Sequence, residues 1–349
     1  MSAKENAVRP VGVGVVGLGF MAATHLRAYR SVPGARIAAL CSPSGRHLNG
    51  DFTGVAGNVG DTEPVKIEME GVSTYRDFKQ LLADPGVDLV DICAPTPAHP
   101  ELALAALAAG KHVLCEKPLA RTTAAARSIL AATKNAQGFF MPAMCMRFWP
   151  GWTWLKQAIS EDTFGRVSSA RFRRVAEPPG WGQHNFLDGG KSGGALLDLH
   201  IHDVDFVHYC FGRPQRVFAT GYSKLSGAID HVVAQYEVRS EAIVHAEGSW
   251  AMTKGFGFSM SYTVNFERAT ADFDLARGSD ALRLFEPDQP SRSIDCTGPD
   301  GYAAELQHMV QCIQTGVAPS VATVADGVAA VEICEAEERS IRSREPVSL

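Results

Sequence analysis

Positive charge is not concentrated anywhere in this chain of 349 residues. Its 33 Lys and Arg stand against 38 Asp and Glu, for a formal net charge of −5. A clustered basic face is therefore not available, and neither nucleic acid nor an anionic membrane is expected as a partner. Apolar runs long enough to span a bilayer are also lacking. The opening MSAKENAVRP has neither the apolar core nor the small-residue cleavage site of a signal peptide, so a cytoplasmic protein is expected. Cysteine occurs eight times, but no two form a C-x-x-C pair. That speaks against a disulfide framework or zinc ribbon and for reduced, mostly buried thiols. No internal repeat recurs at a fixed period. What is present is ordinary globular material, 46% hydrophobic and 20% charged, at a length that fits two domains.

The first apolar run, VGVGVV at 11–16, ends in Gly17-Leu18-Gly19 and leads into a helical stretch over 21–29. It reads as a buried parallel strand entering a tight turn. With Ala22, the turn matches G-x-G-x-x-A. The first glycine permits the turn, the second admits a pyrophosphate, and the small third residue lets helix and strand pack closely. The helix N-terminus offers N–H groups to phosphate, and Leu18, Phe20 and Met21 are cofactor candidates there. The second strand, 36–42, carries no acidic residue at its end, where a ribose 2′-hydroxyl would be bound. Ser42 stands there instead and Arg46 follows, a pair that suits a 2′-phosphate and so NADP over NAD. The competing reading makes Arg46 a solvated loop residue.

Strands and helices then alternate: 72–75, 77–82, 87–94, 97–109, 112–115, 122–134 and 139–141. That order predicts a parallel sheet covered on both faces, with every strand's C-terminal end on one edge. Gly17–Gly19, Ser42, Pro95-Thr96 and Lys117 should meet there although they lie up to about a hundred residues apart. A Gly-rich segment, 49–71, interrupts the alternation. A solvated insertion is the first expectation; a flap over the adenine end of a cofactor and an oligomer contact are the alternatives. Beyond Trp149 the texture changes. Alternating strands are expected at 167–175, 216–222, 231–238, 242–250, 259–266, 271–275 and 281–285, with closing helices at 301–315 and 325–343. These define a second domain of α+β type with a mostly antiparallel sheet.

Within that domain, SGGALLDLHIHDVDFVHYCFG (192–212) reads as one helix. Asp198 and His202, at i and i+4, then share a face, with Asp205 a turn further on. Leu196, Leu199, Val204 and Phe206 can pack on the sheet. His200 and His202 diverge on a helix, so no metal site is expected. Asp198–His202 is either a helix-face hydrogen bond or a positioned acid–base pair.

The chain resembles the Gfo/Idh/MocA oxidoreductases over nearly its whole length. The likeness rests on VGLGFMAATH (16–25), APTPAHPELALAALAAGKHVLCEKPLA (94–120), MRFWP (146–150), SGGALLDLHIHDVD (192–205) and YAAEL (302–306). It implies an N-terminal Rossmann domain (9–143), a substrate-binding and oligomerisation domain (144–349), and C-terminal helices packed back near the cleft between them. Lys117, Asp198 and His202 match the family's substrate-pocket residues and are the expected catalytic set. His99 and Glu116 join Lys117 and the residues above as cofactor contacts. Arg147, Trp149, Trp181, His184 and Tyr302 are the weaker candidates for a substrate wall. A cis Lys117-Pro118 bond and a homodimer or homotetramer formed through the C-terminal sheet are further implications. The implied reaction moves hydride between a nicotinamide and a carbinol carbon of a sugar or cyclitol. A glycosidase that oxidises its substrate transiently and a non-catalytic dinucleotide-sensing regulator are the alternatives. Three features depart from the family: His200 where glycine is common, the Gly-rich segment, and the missing second-strand acid.

Overall fold

The structure is a computed structural model and describes residues 9–55, 64–180 and 182–349. Its first half alternates β1 (Val11–Val16), α1 (Phe20–Tyr29), β2 (Ala35–Cys41), β3 (Ser73–Tyr75), α2 (Phe78–Ala83), β4 (Leu89–Ile92), α3 (His99–Ala108), β5 (His112–Glu116), α4 (Thr123–Thr133) and β6 (Phe140–Ala143). The six strands form a parallel sheet in the order β3-β2-β1-β4-β5-β6. Every residue of β1, β4 and β6 is buried, as a doubly covered sheet requires, and these strands are apolar apart from Asp91 in β4. The order reverses direction between β1 and β4, and it is at such a point that the strand ends open a crevice.

The second half contains α5 (Pro150–Ser160), β7 (Val167–Ala176), α6 (Gln183–Phe186), α7 (Gly189–Ser192), α8 (Gly194–Asp198), α9 (Ile201–Phe211), β8 (Arg216–Tyr222), β9 (His231–Glu237), β10 (Ile243–Ser249), β11 (Phe258–Phe266), β12 (Thr270–Asp274), β13 (Leu282–Phe285), β14 (Arg292–Ser293), α10 (Gly301–Thr315), α11 (Val324–Ser343) and β15 (Val347–Ser348). Its nine strands run β14-β13-β12-β11-β7-β10-β9-β8-β15, antiparallel throughout except for the β7–β10 pair. Burial alternates along β8 and β9, so one face is open while α8, α9 and α11 cover the other. The helix α5, the short helices α6 and α7 and the short strands β14 and β15 are additions to the expected elements. Within α5, Trp152 is fully buried among Phe172, Phe206, Tyr262 and Phe273, a core role.

The closing helices each contact the first half. From α10, Gln314 donates to the Gly34 carbonyl. From α11, Glu335 accepts from the backbone N–H and hydroxyl of Thr123, both at 2.8 Å. The described ends of the Gly-rich segment, 49–55 and 64–71, are largely solvated but anchored at a few points. Asp51 bridges Lys66, Phe52 and Val65 are buried, and His47 stacks on Phe52. Two apolar residues spaced to meet across a loop give it an anchor that glycine content conceals. Residues 56–63 lie outside the described part. All eight cysteines are free thiols, six of them buried. No helix among the described residues is long and apolar enough to cross a membrane.

Candidate functional site

A cleft of about 740 Å³ runs from the C-terminal edge of the first sheet to the covered face of the second. At one end lie Gly17, Leu18, Gly19, Phe20 and Met21. Gly17 has φ 85°, and a Cβ there would sit 2.4 Å from Ala94 Cα, so only glycine fits. A Cβ on Gly19 would meet nothing within 4 Å. That open side, and an α1 N-terminus with no side-chain cap, suit the close approach of a phosphate. These are features a dinucleotide fits.

Beside this turn, Ser42, Ser44 and Arg46 line the cleft, and Val55 of the Gly-rich segment edges it too. The Ser42 and Ser44 hydroxyls are 3.1 Å apart. A second cation, Arg76, lies beside this loop but is not among the residues that line the cleft. The Arg76 guanidinium lies over Gly45, within 2.5 Å of where a Cβ would be. Sequence reading passed over Arg76 because it follows a different strand, β3; only the β2–β3 pairing brings it to this loop.

At the other end stand Lys117, Asp198 and His202. The Lys117-Pro118 peptide is cis. Lys117 Nζ donates to the Asp198 backbone carbonyl at 2.5 Å and lies 3.5 Å from Asp198 Oδ1. The single helix expected over this stretch is in fact broken. After α8 ends at Asp198, the His202 N–H bonds the Leu199 carbonyl rather than that of Asp198. The break thus releases the Asp198 carbonyl from the helical ladder, and Lys117 takes it. His200 occupies the joint. Its ring is fully buried against Gly248, where any Cβ would collide with it, and Nε2 lies 3.3 Å from Glu337 Oε2 and from the Tyr236 hydroxyl. His200 therefore points away from the cleft. Leu199, expected on the sheet, lines the cleft instead.

Burial, with the Lys117 and Arg174 cations added to it, holds the His202 imidazole well below its ordinary pKa. Gly193 and Gly194, at φ 87° and 71°, bring the chain into α8 past Arg121 and the Ile229 carbonyl, which a Cβ on either would strike.

The remaining candidates divide. Pro95 and Thr96 line the cleft, and Trp149 and Tyr302 form an edge-to-face pair on its wall. His99 also borders it, but its ring nitrogens lie 2.8 and 2.7 Å from the Pro118 and Ala94 carbonyls, tying two loops together. Glu116 borders it while accepting from the Lys117 N–H. Arg147 is not on the wall. It is buried, with two hydrogen bonds to Asp205 and an ion pair to Asp326, because a guanidinium needs carboxylates to enter a core. His184 is exposed and outside the cleft lining. Trp181 lies outside the described residues. Sequence reading missed Arg174, whose side chain pairs with Asp203 while lining the cleft, and also Asn185, Lys191, Trp250 and Met260. Arg174 had a visible signal: a charge at an inward position of an alternating strand.

Comparison with known proteins agrees with this architecture. Residues 11–144 match the profile of the oxidoreductase family with an NAD-binding Rossmann fold, and residues 152–272 match the GFO/IDH/MocA C-terminal domain. Myo-inositol 2-dehydrogenase of Thermotoga maritima is 27% identical over 97% of this chain and 98% of its own. Trans-1,2-dihydrobenzene-1,2-diol dehydrogenase of Bos taurus is 28% identical over 70% of this chain and 75% of its own. Among solved structures, levoglucosan dehydrogenase in complex with NADH superposes with a TM-score of 0.81 at 22% identity, covering 97% and 99% of the two chains. Aldose-aldose oxidoreductase from Caulobacter crescentus gives 0.83 at 23% identity, covering 98% and 100%. With both of its family's domains present in order, this chain belongs to the Gfo/Idh/MocA oxidoreductases.

Proposed function

We propose that the protein is a nicotinamide-dependent dehydrogenase or reductase, exchanging hydride between NAD(P) and a carbinol or carbonyl carbon of a sugar, cyclitol or related polyhydroxylated molecule. The observation that carries this is Lys117, held by Asp198 beside a neutral His202, at the far end of the cleft that begins at Gly17–Gly19. Residues 9–143 would hold the cofactor and 144–349 the substrate.

Bound nicotinamide supplies the hydride acceptor or donor. The chain's own residues manage the proton and the charge. His202, kept unprotonated at neutral pH, takes the hydroxyl proton as hydride leaves the carbon. Lys117 donates to the same oxygen and offsets its developing charge. Asp198 fixes the ammonium in place. Trp149, Tyr302 and Trp250 offer apolar faces to ring C–H groups, and Arg174, Asn185 and Lys191 offer partners for hydroxyls. The relatives named for myo-inositol and a dihydrodiol are consistent with a cyclic diol or polyol.

For the cofactor, Ser42, Ser44, Arg46 and Arg76 favour NADP over NAD, since two guanidinium groups suit a 2′-phosphate. On the open face of the second sheet, Phe218, Tyr222, Val233 and Ile243 are exposed. We assign that face to a second copy of the chain, giving a homodimer or, by a further contact, a homotetramer.

The test is Lys117→Ala and His202→Ala. Each should lower turnover by about 10²–10⁴ while cofactor still binds, as tryptophan fluorescence would report. Near-wild-type rates in both would sink the assignment.

A further inference from the structure

Behind Lys117 lies a second constellation that the proposed chemistry does not use. His25 of α1 is fully buried, and both of its ring nitrogens face carboxylates. Nδ1 lies 3.1 and 2.9 Å from the two oxygens of Asp91, and Nε2 lies 3.1 Å from Glu116 Oε1. An ionised carboxylate accepts hydrogen bonds and cannot donate one. Either the ring is an imidazolium, or one of these carboxyls carries a proton. A third carboxyl, Glu305 of α10, completes the set. It is fully buried, its Oε1 is 4.0 Å from His25 Nε2, and neither oxygen has a hydrogen-bond partner among the described residues. Cys93 flanks the ring at 3.5 Å, and Tyr29 and Tyr302 close the space from α1 and α10.

The protons can be placed from this geometry. A neutral acid needs no counter-ion in a dry site, whereas a lone anion there is costly. Glu305, the carboxyl farthest from the ring, is the one to stay neutral. Burial pushes it up, His25 partly opposes this, and Glu116 and Asp91 push it further. Asp91 and Glu116 are the two carboxylates in direct contact with the ring, each placed to accept one of its N–H groups. Burial alone would lower the His25 pKa, and Asp91 and Cys93 outweigh it. Two anions against one cation leave one negative charge in excess. Nearer the cleft, Lys117 is balanced by Asp198 and Arg174 by Asp203. The excess therefore reaches the wall at Glu116, which lines the cleft beside Lys117.

We propose that this buried set biases a bound nicotinamide toward its oxidised, cationic form, with His25 as the residue that positions Glu116 at the wall. The inference rests on the function proposed above. There, the substrate carbon releases hydride, with its two electrons, to the ring, whose positive charge is thereby neutralised. The adjoining oxygen releases its proton to His202. The reacting carbon and that oxygen are neighbours, so the residues around Lys117 and Glu116 would be the ones to hold the nicotinamide. A negative charge in the wall there favours the side of the balance on which the ring is charged.

Two measurements on the full-length protein decide it. Dissociation constants are compared for the oxidised and reduced forms of whichever cofactor, NADP or NAD, binds tighter, in wild type and in Glu116→Gln. The ratio of oxidised to reduced constants should rise on the order of tenfold in the variant. An unchanged ratio with binding intact overturns this inference alone. Failure of every form to bind the wild type overturns it together with the proposed function. Independently, ¹⁵N spectra of histidine-labelled, ligand-free protein at pH 8 should show one ring protonated on both nitrogens, a signal lost in His25→Gln. Should that variant fold poorly, Asp91→Asn serves in its place, and the same signal should then titrate at lower pH. Only neutral rings at pH 8, or a stoichiometric divalent ion on the cluster by elemental analysis, would overturn the proton placement.

Discussion

The two sheets reach the same cleft by different means. The parallel sheet delivers residues from strand ends: Gly17 follows β1, Ser42 follows β2, Pro95 and Thr96 lie just beyond β4, and Lys117 follows β5. The mixed sheet delivers them from a face: Arg174 of β7 and Met260 of β11 point inward beneath the helices, and the broken α8–α9 joint lies across them. Backbone conformation matters most where strands end, because the chain itself borders the ligand. Side-chain charge matters most on the face, because buried ions there must be matched. Substitutions on the two sides should therefore fail differently.

The largest effect is expected at the strand end. Gly17→Val adds a branched side chain where φ is 85° and the Ala94 backbone leaves no room. It should cost at least about 3 kcal/mol in urea unfolding and abolish nicotinamide binding together. A folded variant that binds cofactor normally would break the comparison.

On the face, two buried arginines allow a sharper contrast. Arg147 pairs with Asp205 and Arg174 with Asp203, both carboxylates of α9. Removing either as Arg→Met strands a buried carboxylate and should cost about 3–5 kcal/mol. Only Arg174 lines the cleft and helps depress the His202 pKa. Loss of that cation favours protonated His202, so its pKa rises. The acid limb of the oxidation rate should then move to higher pH in Arg174→Met. In Arg147→Met it should stay in place. Profiles of kcat/KM against pH, taken below the unfolding temperature of each variant, separate the two.

How much of this was legible follows the same division. Strand ends in a parallel sheet are marked locally, by an apolar run, a turn and a short motif, so Gly17, Ser42, Thr96 and Lys117 could be placed on one edge from sequence. Face residues carry no such mark. Arg147, beside Trp149 in a recognisable motif, looked like a substrate contact and is a core ion pair, while Arg174 went unread. The joint at His200 was also hidden. Local pattern favours one continuous helix, and only the distant Gly248 and Glu337 show what the His200 ring occupies.

A smaller effect is expected where the strand-end loop meets exposed cations. Arg46→Ala and Arg76→Ala should each reduce the preference for NADP over NAD by about tenfold, since a charge-assisted bond is worth about 1.5–3 kcal/mol and both groups are exposed. Paired fluorescence titrations with NADP and NAD measure this. If NAD binds wild type at least as tightly, the Ser42–Arg46 reading fails. A loss in Arg46→Ala alone would remove Arg76 from the site.

The smallest change in catalysis is expected on the outer face of the second sheet, opposite the cleft. Ile243 and Val233 are 60% and 40% exposed there, on the adjacent strands β10 and β9. Neither touches the covered face, so a charge at either position leaves the cleft's geometry intact. In a dimer formed through this face, however, each charge would be buried twice, once in every copy, without a partner. Val233→Lys and Ile243→Lys together should shift the protein to monomer in sedimentation, with kcat and cofactor affinity within about twofold of wild type. An unchanged assembly would move the oligomer contact elsewhere. A dissociated protein that also lost turnover would show that the open face and the cleft are not independent, and the division of labour between the two sides of this sheet would have to be abandoned.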